Sequence, residues 1–308
     1  MRMDTNHNKN HHSQGNSLLG EPTQAKASGF LFTFEVIFYY AFASLLLFII
    51  GRIDSSADLA IYLQYLVSPI AILCAAIWYF AWTKFPIKQW AKRQICYPKY
   101  YFLAIVLQIG LLSLSELNTL FLSWLERFGY QSLPVVLPSM DGMGIVGVLL
   151  VVAVLPAVCE ELLFRGLLMD GIKVFGTLGA VLLCGGLFAL YHQSPTQTVY
   201  QFCCGVAFAL IAIRSGSILP TVLSHFLNNA TIILLAKFEV HTLPKPVFIT
   251  MLCVSVPCLI LSLAYLIWGD KKGDEKQVLG TKKQFLLGSA IGVVLCAVVW
   301  LTILFTGL

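Results

Sequence analysis

The sequence predicts an all-α fold, a polytopic transmembrane helix bundle of about eight to nine spans. Two observations carry this. Of 308 residues, 58% are of the types AVILMFWYC and only 11% are charged, where a soluble domain carries about 25% charged residues. The apolar residues are also gathered into runs of roughly 20, the length of a helix that crosses the hydrocarbon of a bilayer. With a mean hydropathy of +0.82, too few charges remain to cover a soluble globule. This excludes a soluble enzyme, a disordered chain and a disulfide-stapled secreted module. The net charge of +5 does not point to nucleic acid, because the basic residues sit between apolar runs, where they read as orientation signals. Most of the nine cysteines (Cys74, Cys159, Cys184, Cys203, Cys204, Cys253, Cys258, Cys296) lie inside apolar stretches. There they behave as small hydrophobes rather than as a disulfide framework.

Residues 1–28 are polar and read as a flexible cytoplasmic tail. His7, His11 and His12 are read as solvated residues of that tail rather than as a metal site. No secretory signal precedes the first apolar run, so that run is expected to stay in the mature protein. The candidate spans are 30–50, 59–82, 101–125, 145–169, 177–193, 197–213, 217–236, 247–268 and 284–307, of which 177–193 and 197–213 are very short. Pro86, Pro98, Pro138, Pro195, Gly216, Pro244, Pro246 and Gly269 mark many of the ends.

Loop charge orients the bundle. The loop 83–99 holds Lys84, Lys88, Lys92, Arg93 and Lys99, and the loop 269–283 holds Lys271, Lys272, Lys276, Lys282 and Lys283. With both in the cytoplasm, the inner side carries fifteen Lys and Arg against four outside, Arg52, Arg127, Lys237 and Lys245. That bias predicts a cytoplasmic amino terminus.

Ionisable residues inside spans are costly and mark functional candidates. They are Glu35, Glu116, Glu160, Glu161, Arg165, His192 and His225. Glu35 stands five residues into its span and is expected to reach the interface. Glu116 lies deeper, among Ser113, Ser115 and Asn118, where it could cap a polar contact between helices. The others form three motifs. In Glu160-Glu161-Leu-Leu-Phe-Arg165, residues 161 and 165 are four apart with the acid first, the better order for a helical ion pair. Glu160 then points about 100° away on the helix and is left for chemistry. In Phe188-Ala-Leu-Tyr-His192 and His225-Phe-Leu-Asn-Asn229, the first and last residues share a helical face. Counting from the turn near Lys173–Gly176, Glu160 and His192 each lie roughly 23–26 Å up adjacent antiparallel helices, hence at similar height.

A carboxylate, two imidazoles and a carboxamide make a hydrolytic set. A carboxylate with a neutral imidazole can bind and deprotonate water. A second imidazole and an amide can donate to a developing oxyanion. The same residues could instead ligate Zn²⁺ through Glu160, His192 and His225. HExxH, GxSxG and a Gly-rich phosphate loop are all absent.

The three motifs EExxxR (160–165), FxxxH (188–192) and HxxxN (225–229), in this order on successive spans, closely resemble the CAAX-protease and bacteriocin-processing (Abi-like) family of intramembrane endopeptidases. The resemblance covers about residues 143–235. It implies that Glu160 and His192 activate the water, that His225 and Asn229 form the oxyanion hole, and that Glu161 and Arg165 hold the helix and tune Glu160. Phe188 belongs to the second motif in a structural role. The family has been described both as zinc metalloproteases and as metal-free glutamate proteases. The carboxamide at 229 favours the metal-free form, since an amide is a poor Zn²⁺ ligand. The expected organisation is a tail (1–28), amino-terminal helices (29–142), a catalytic core (143–236) and two carboxyl-terminal helices (237–308). The expected partners are the lipid bilayer and a membrane-associated protein or peptide substrate, with no nucleic acid. The layout leads us to expect a bacterial cell membrane and peptide-pheromone or bacteriocin maturation, or self-immunity. Two readings from other classes stand beside it: a proton-coupled transporter using Glu116, Glu160 and the histidines, and a non-catalytic immunity or binding protein.

Overall fold

The computed structural model describes residues 23–52, 57–92, 94–132, 135–240, 242–273 and 278–307. The tail histidines His7, His11 and His12 and the loop cations Arg93 and Lys276 lie outside the described residues. Every regular element among the described residues is helical. In order these are α1 (Gln24–Ile50), α2 (Ala57–Thr83), the short α3 (Ile87–Lys92), α4 (Lys99–Glu126), α5 (residues 144–175), α6 (Gly176–Tyr191), α7 (Thr198–Ser215), α8 (Leu219–Lys237), α9 (Lys245–Gly269) and α10 (Lys282–Gly307).

Eight helical segments are long and apolar enough to cross a membrane. One of them, Gly144–Tyr191, runs for 48 residues and contains both α5 and α6. Gly176, at φ +76°, breaks its axis in a conformation that a side chain would resist. Beyond it α6 folds back antiparallel on α5, so that Cys184 reaches the Phe164 carbonyl and the rings of Phe164 and Phe188 meet edge to face at 5.1 Å. The expected fifth span is therefore present as a helix of 16 residues. At about 24 Å it is shorter than the roughly 30 Å hydrocarbon layer, and it packs as the second arm of this hairpin.

Hydrogen bonds sort the loops onto two ends. At one end Asp270 accepts from Lys99 (3.1 Å) and Tyr100 (2.8 Å), Arg214 donates to the Leu266 and Lys272 carbonyls, and Ile218 N–H donates to Gln94. The start of α1 joins them through Ala25 N–H and the Leu279 carbonyl. At the other end Asp58 meets Ser139, Lys237 meets Asp141, and Gln131 N–H meets the Gly307 carbonyl. The two basic loops thus share one end, as the charge pattern requires. Burial pushes the Asp270 carboxyl up, but the Lys272 N–H, the Tyr100 hydroxyl and the Lys99 ammonium outweigh it and hold it below the usual carboxylate range.

Packing inside the bundle relies on small residues, which let helices approach in lipid. A Cβ on Gly205 of α7 would come within 2.8 Å of the Gly185 Cα of α6. Large aromatic side chains fill what remains: Phe32, Phe164, Phe188 and Phe208 are almost fully buried. The outer faces carry bare apolar side chains such as Ile77 and Leu261, which hydrocarbon solvates.

Candidate active site

The α5 helix is not uniform. An α-helical stretch, Leu155–Glu161, is flanked by two widened π-helical stretches, Leu149–Val154 and Leu162–Leu168. Pro156 opens the α-helical stretch. It has no N–H to continue the ladder, so the turns before it must re-register. Such π segments recur at functional sites. Here they place Glu160 and Glu161 at the end of a tight turn, facing different neighbours.

Glu161 is fully buried. Its Oε1 accepts from Arg165 Nη1 at 2.8 Å, the pair the spacing predicts. The same oxygen lies 2.9 Å from Nδ1 of His225 on α8. This second partner goes beyond the pair the spacing predicts: Glu161 also meets His225. Arg165 also donates to the Gly205 carbonyl at 3.2 Å, and its guanidinium lies 4.2 Å from the Phe188 ring centroid. Phe188 thereby covers the face of a buried cation and packs at 4.7 Å against the His192 ring.

Glu160 stands free of Arg165, as its place on the helix predicts. Its Oε2 lies 4.0 Å from His192 Nε2 and 3.9 Å from His225 Nε2, and no hydrogen bond reaches that oxygen. His192 sits at the end of α6, with Nδ1 2.8 Å from the Phe188 carbonyl. That carbonyl can only accept, so Nδ1 carries the proton and Nε2 is the atom turned toward Glu160. His225 is held through its Nδ1 by Glu161, which leaves its Nε2 also facing Glu160. The hairpin arithmetic therefore holds, and residues 32 and 65 positions from Glu160 converge on one carboxylate.

Asn229 lies on the same helix as His225. Its Nδ2 donates to the Val152 carbonyl at 3.5 Å, four residues before Pro156. No hydrogen bond joins it to Glu160 or to either histidine among the described residues. Asn228, which no spacing argument singles out, is buried and ties α8 in place. It accepts from Tyr200 (2.7 Å) and Gln108 (3.1 Å), and its amide reaches Asn229 Oδ1 at 3.4 Å. The signal for it was the doublet Asn228-Asn229 itself, two amides where a span needs none.

Two expectations are corrected. Glu35 does not reach the interface. The helix α1 begins at Gln24, earlier than the apolar run suggested, and Glu35 is fully buried, accepting from Tyr191 at 2.6 Å. Glu116 does not cap a polar contact between helices. It is exposed just after the Leu112–Leu114 turn of α4, and Asn118 makes that contact instead, with the Thr196 carbonyl and Tyr200 N–H.

A tetrahedral zinc ion bound at about 2.0–2.1 Å would hold its donors roughly 3.3–3.5 Å apart. The carboxylate-to-imidazole separations of 4.0 and 3.9 Å are wider. Among the described residues no three His, Cys, Asp or Glu side chains are arranged to hold a metal ion.

Residues 142–231 match the model of the family described as Rce1-like, type II CAAX prenyl endopeptidase Rce1-like. The matched segment contains all three motifs and agrees with the resemblance read from them. Around that segment the described chain is all-helical, with eight helices long and apolar enough to cross a membrane. No curated protein and no solved structure matches the chain.

Proposed function

We propose that this protein hydrolyses peptide bonds of membrane-associated protein or peptide substrates with a water activated by Glu160 and His192, without a metal. The observation that carries the reading is the free Glu160 oxygen about 4 Å from two imidazole Nε2 atoms, each ring fixed through its other nitrogen. A water about 2.8 Å from Glu160 and from His192 spans such a gap at an angle near 90°.

In the proposed reaction the water donates to Glu160 and to the unprotonated Nε2 of His192. Glu160 takes a proton as the oxygen attacks the carbonyl carbon. The carbonyl π electrons move to the oxygen, which accepts from Nε2–H of His225 and from the Asn229 amide. His225 in this step carries a proton on each nitrogen, and the Glu161 carboxylate balances its charge. When the intermediate collapses, the C–N bond breaks and Glu160 returns the proton to the leaving amine. Arg165 pairs with Glu161 beside His225. The separations around Glu160 favour water over zinc between these groups.

The substrate reading is supported by an apolar groove of about 400 Å³ between α4, α5 and α8, lined by Tyr101, Val154, Leu219, Val222, Leu223 and Phe226. It runs along the helix that carries His225 and suits the apolar flank of a substrate held in the bilayer. The testing experiment is cleavage of a membrane-peptide library by purified protein, wild type against Glu160→Gln, with and without chelator. Cleavage by wild type in chelator, absent from the variant, supports the reading. Equal cleavage by both overturns it.

A further inference from the structure

His192 is the most exposed member of the Glu160–His192–His225 group, with 17% of its side chain accessible. It also stands where α6 ends, a place where helices fray because their last carbonyls lack partners. Its two sequence neighbours are nevertheless tied down, both to α1. On one side the Tyr191 hydroxyl donates to Glu35 Oε1 at 2.6 Å and lies 2.8 Å from Ser68 Oγ of α2. On the other side Tyr40 donates to Gln193 Oε1 at 2.8 Å, and Gln193 Nε2 reaches Cys296 of α10 at 3.7 Å. Gln193 itself has φ +51°, a left-handed conformation that a non-glycine residue holds only when its surroundings require it.

Glu35 needs a reason of its own. It is a fully buried carboxyl in a span, its second oxygen has no hydrogen-bond partner, and none of the described ion pairs includes it. A carboxyl so placed is costly to a membrane helix. Its one described bond leads to Tyr191, and through the chain to His192.

We infer that α1 is a clamp on the end of α6, in which Glu35 and Tyr40 are positioning residues that hold Tyr191 and Gln193 and so fix the His192 ring opposite Glu160. The inference rests on the proposed hydrolysis for its kinetic consequence, though not for its geometry. Glu35 acts in it as a hydrogen-bond acceptor, and its charge plays no part. A shift of the ring by about 1 Å is enough to cost on the order of 100-fold in rate.

The test uses the full chain purified in lipid, with two readouts: kcat and KM for cleavage, and the rate at which diethyl pyrocarbonate modifies His192, read by mass spectrometry. Glu35→Ala and Tyr191→Phe should each lower kcat by about 10- to 100-fold, with KM within about twofold, and speed His192 modification. Together they should do no more than the worse single change, because both break one bond. Glu35→Gln, whose amide oxygen still accepts from Tyr191, should stay within about threefold of wild type. If Glu35→Ala does not fold, Tyr191→Phe and Tyr40→Phe, which remove one hydroxyl each, carry the same expectation. The clamp is overturned if these folded variants keep wild-type kcat and wild-type His192 modification, if Glu35→Gln is as damaging as Glu35→Ala, or if the double change is additive. Should wild type cleave nothing, the protease reading falls and the modification rates alone decide. Faster modification in Glu35→Ala but not in Glu35→Gln supports the clamp, and equal rates in all three overturn it.

Discussion

His225 Nδ1 lies 2.9 Å from Glu161 Oε1, the same oxygen that takes the Arg165 guanidinium at 2.8 Å. One buried carboxylate therefore serves a cation that neutralises it and an imidazole that it orients. The two tasks separate under mutation.

Glu161→Gln should lower both yield and thermal stability, since it strands Arg165, whose side chain is 0% exposed. Breaking a buried ion pair costs roughly 3–5 kcal/mol. Replacing both partners, Glu161→Leu with Arg165→Met, should restore much of the stability, because no buried charge remains. It should not restore turnover, because His225 has lost its partner. Recovery of turnover in the double variant would show that Glu161 serves only Arg165.

Glu160→Gln should leave folding intact, because the reactive oxygen makes no hydrogen bond that the change would break. Turnover should fall by at least about 10²–10⁴-fold, the usual contribution of a positioned base. Circular dichroism and gel filtration check the first expectation and single-turnover cleavage the second.

Asn229→Ala should reduce kcat by about 10²–10³-fold with little change in KM, the effect of removing one oxyanion donor. Chelator should leave wild-type turnover unchanged. Zinc at one per chain, lost in Glu160, His192 or His225 variants together with chelator-sensitive activity, would establish the metal reading instead.

A cysteine at position 88 should resist an impermeant thiol reagent in intact cells, and one at position 127 should react. Lys88 belongs to a basic loop at the end of the bundle that also holds Asp270 and the start of α1. Labelling at 88 from outside would invert the orientation.

Much of the site was legible before the fold. The four-residue spacings within 161–165, 188–192 and 225–229 fixed which side chains share a helical face. Equal distances from one turn set Glu160 level with His192. The widened π stretches of α5 on either side of the two acids were not legible, since nothing but Pro156 signals them. Glu35 was misjudged for a related reason. Hydropathy located the apolar run but not the extra helical turns before it, from Gln24 onward, and those turns carry Glu35 from the interface into the core. Asn228 and Tyr200 also escaped, because their bond crosses between helices 28 residues apart.

By itself, then, the sequence determined that this chain is a membrane helix bundle, which loops share an end, and which three short motifs gather the ionisable residues of its core. These follow from transfer free energies and helical periodicity, properties local to each segment. Only the tertiary structure decided that Glu161 holds His225, that Glu160 lies between two imidazoles, and that α1 grips both neighbours of His192. Those outcomes depend on the rotation and depth of each helix against the others. That geometry is set by where glycines such as Gly185 and Gly205 let backbones meet, and by how buried polar groups find partners in a medium that offers them no water.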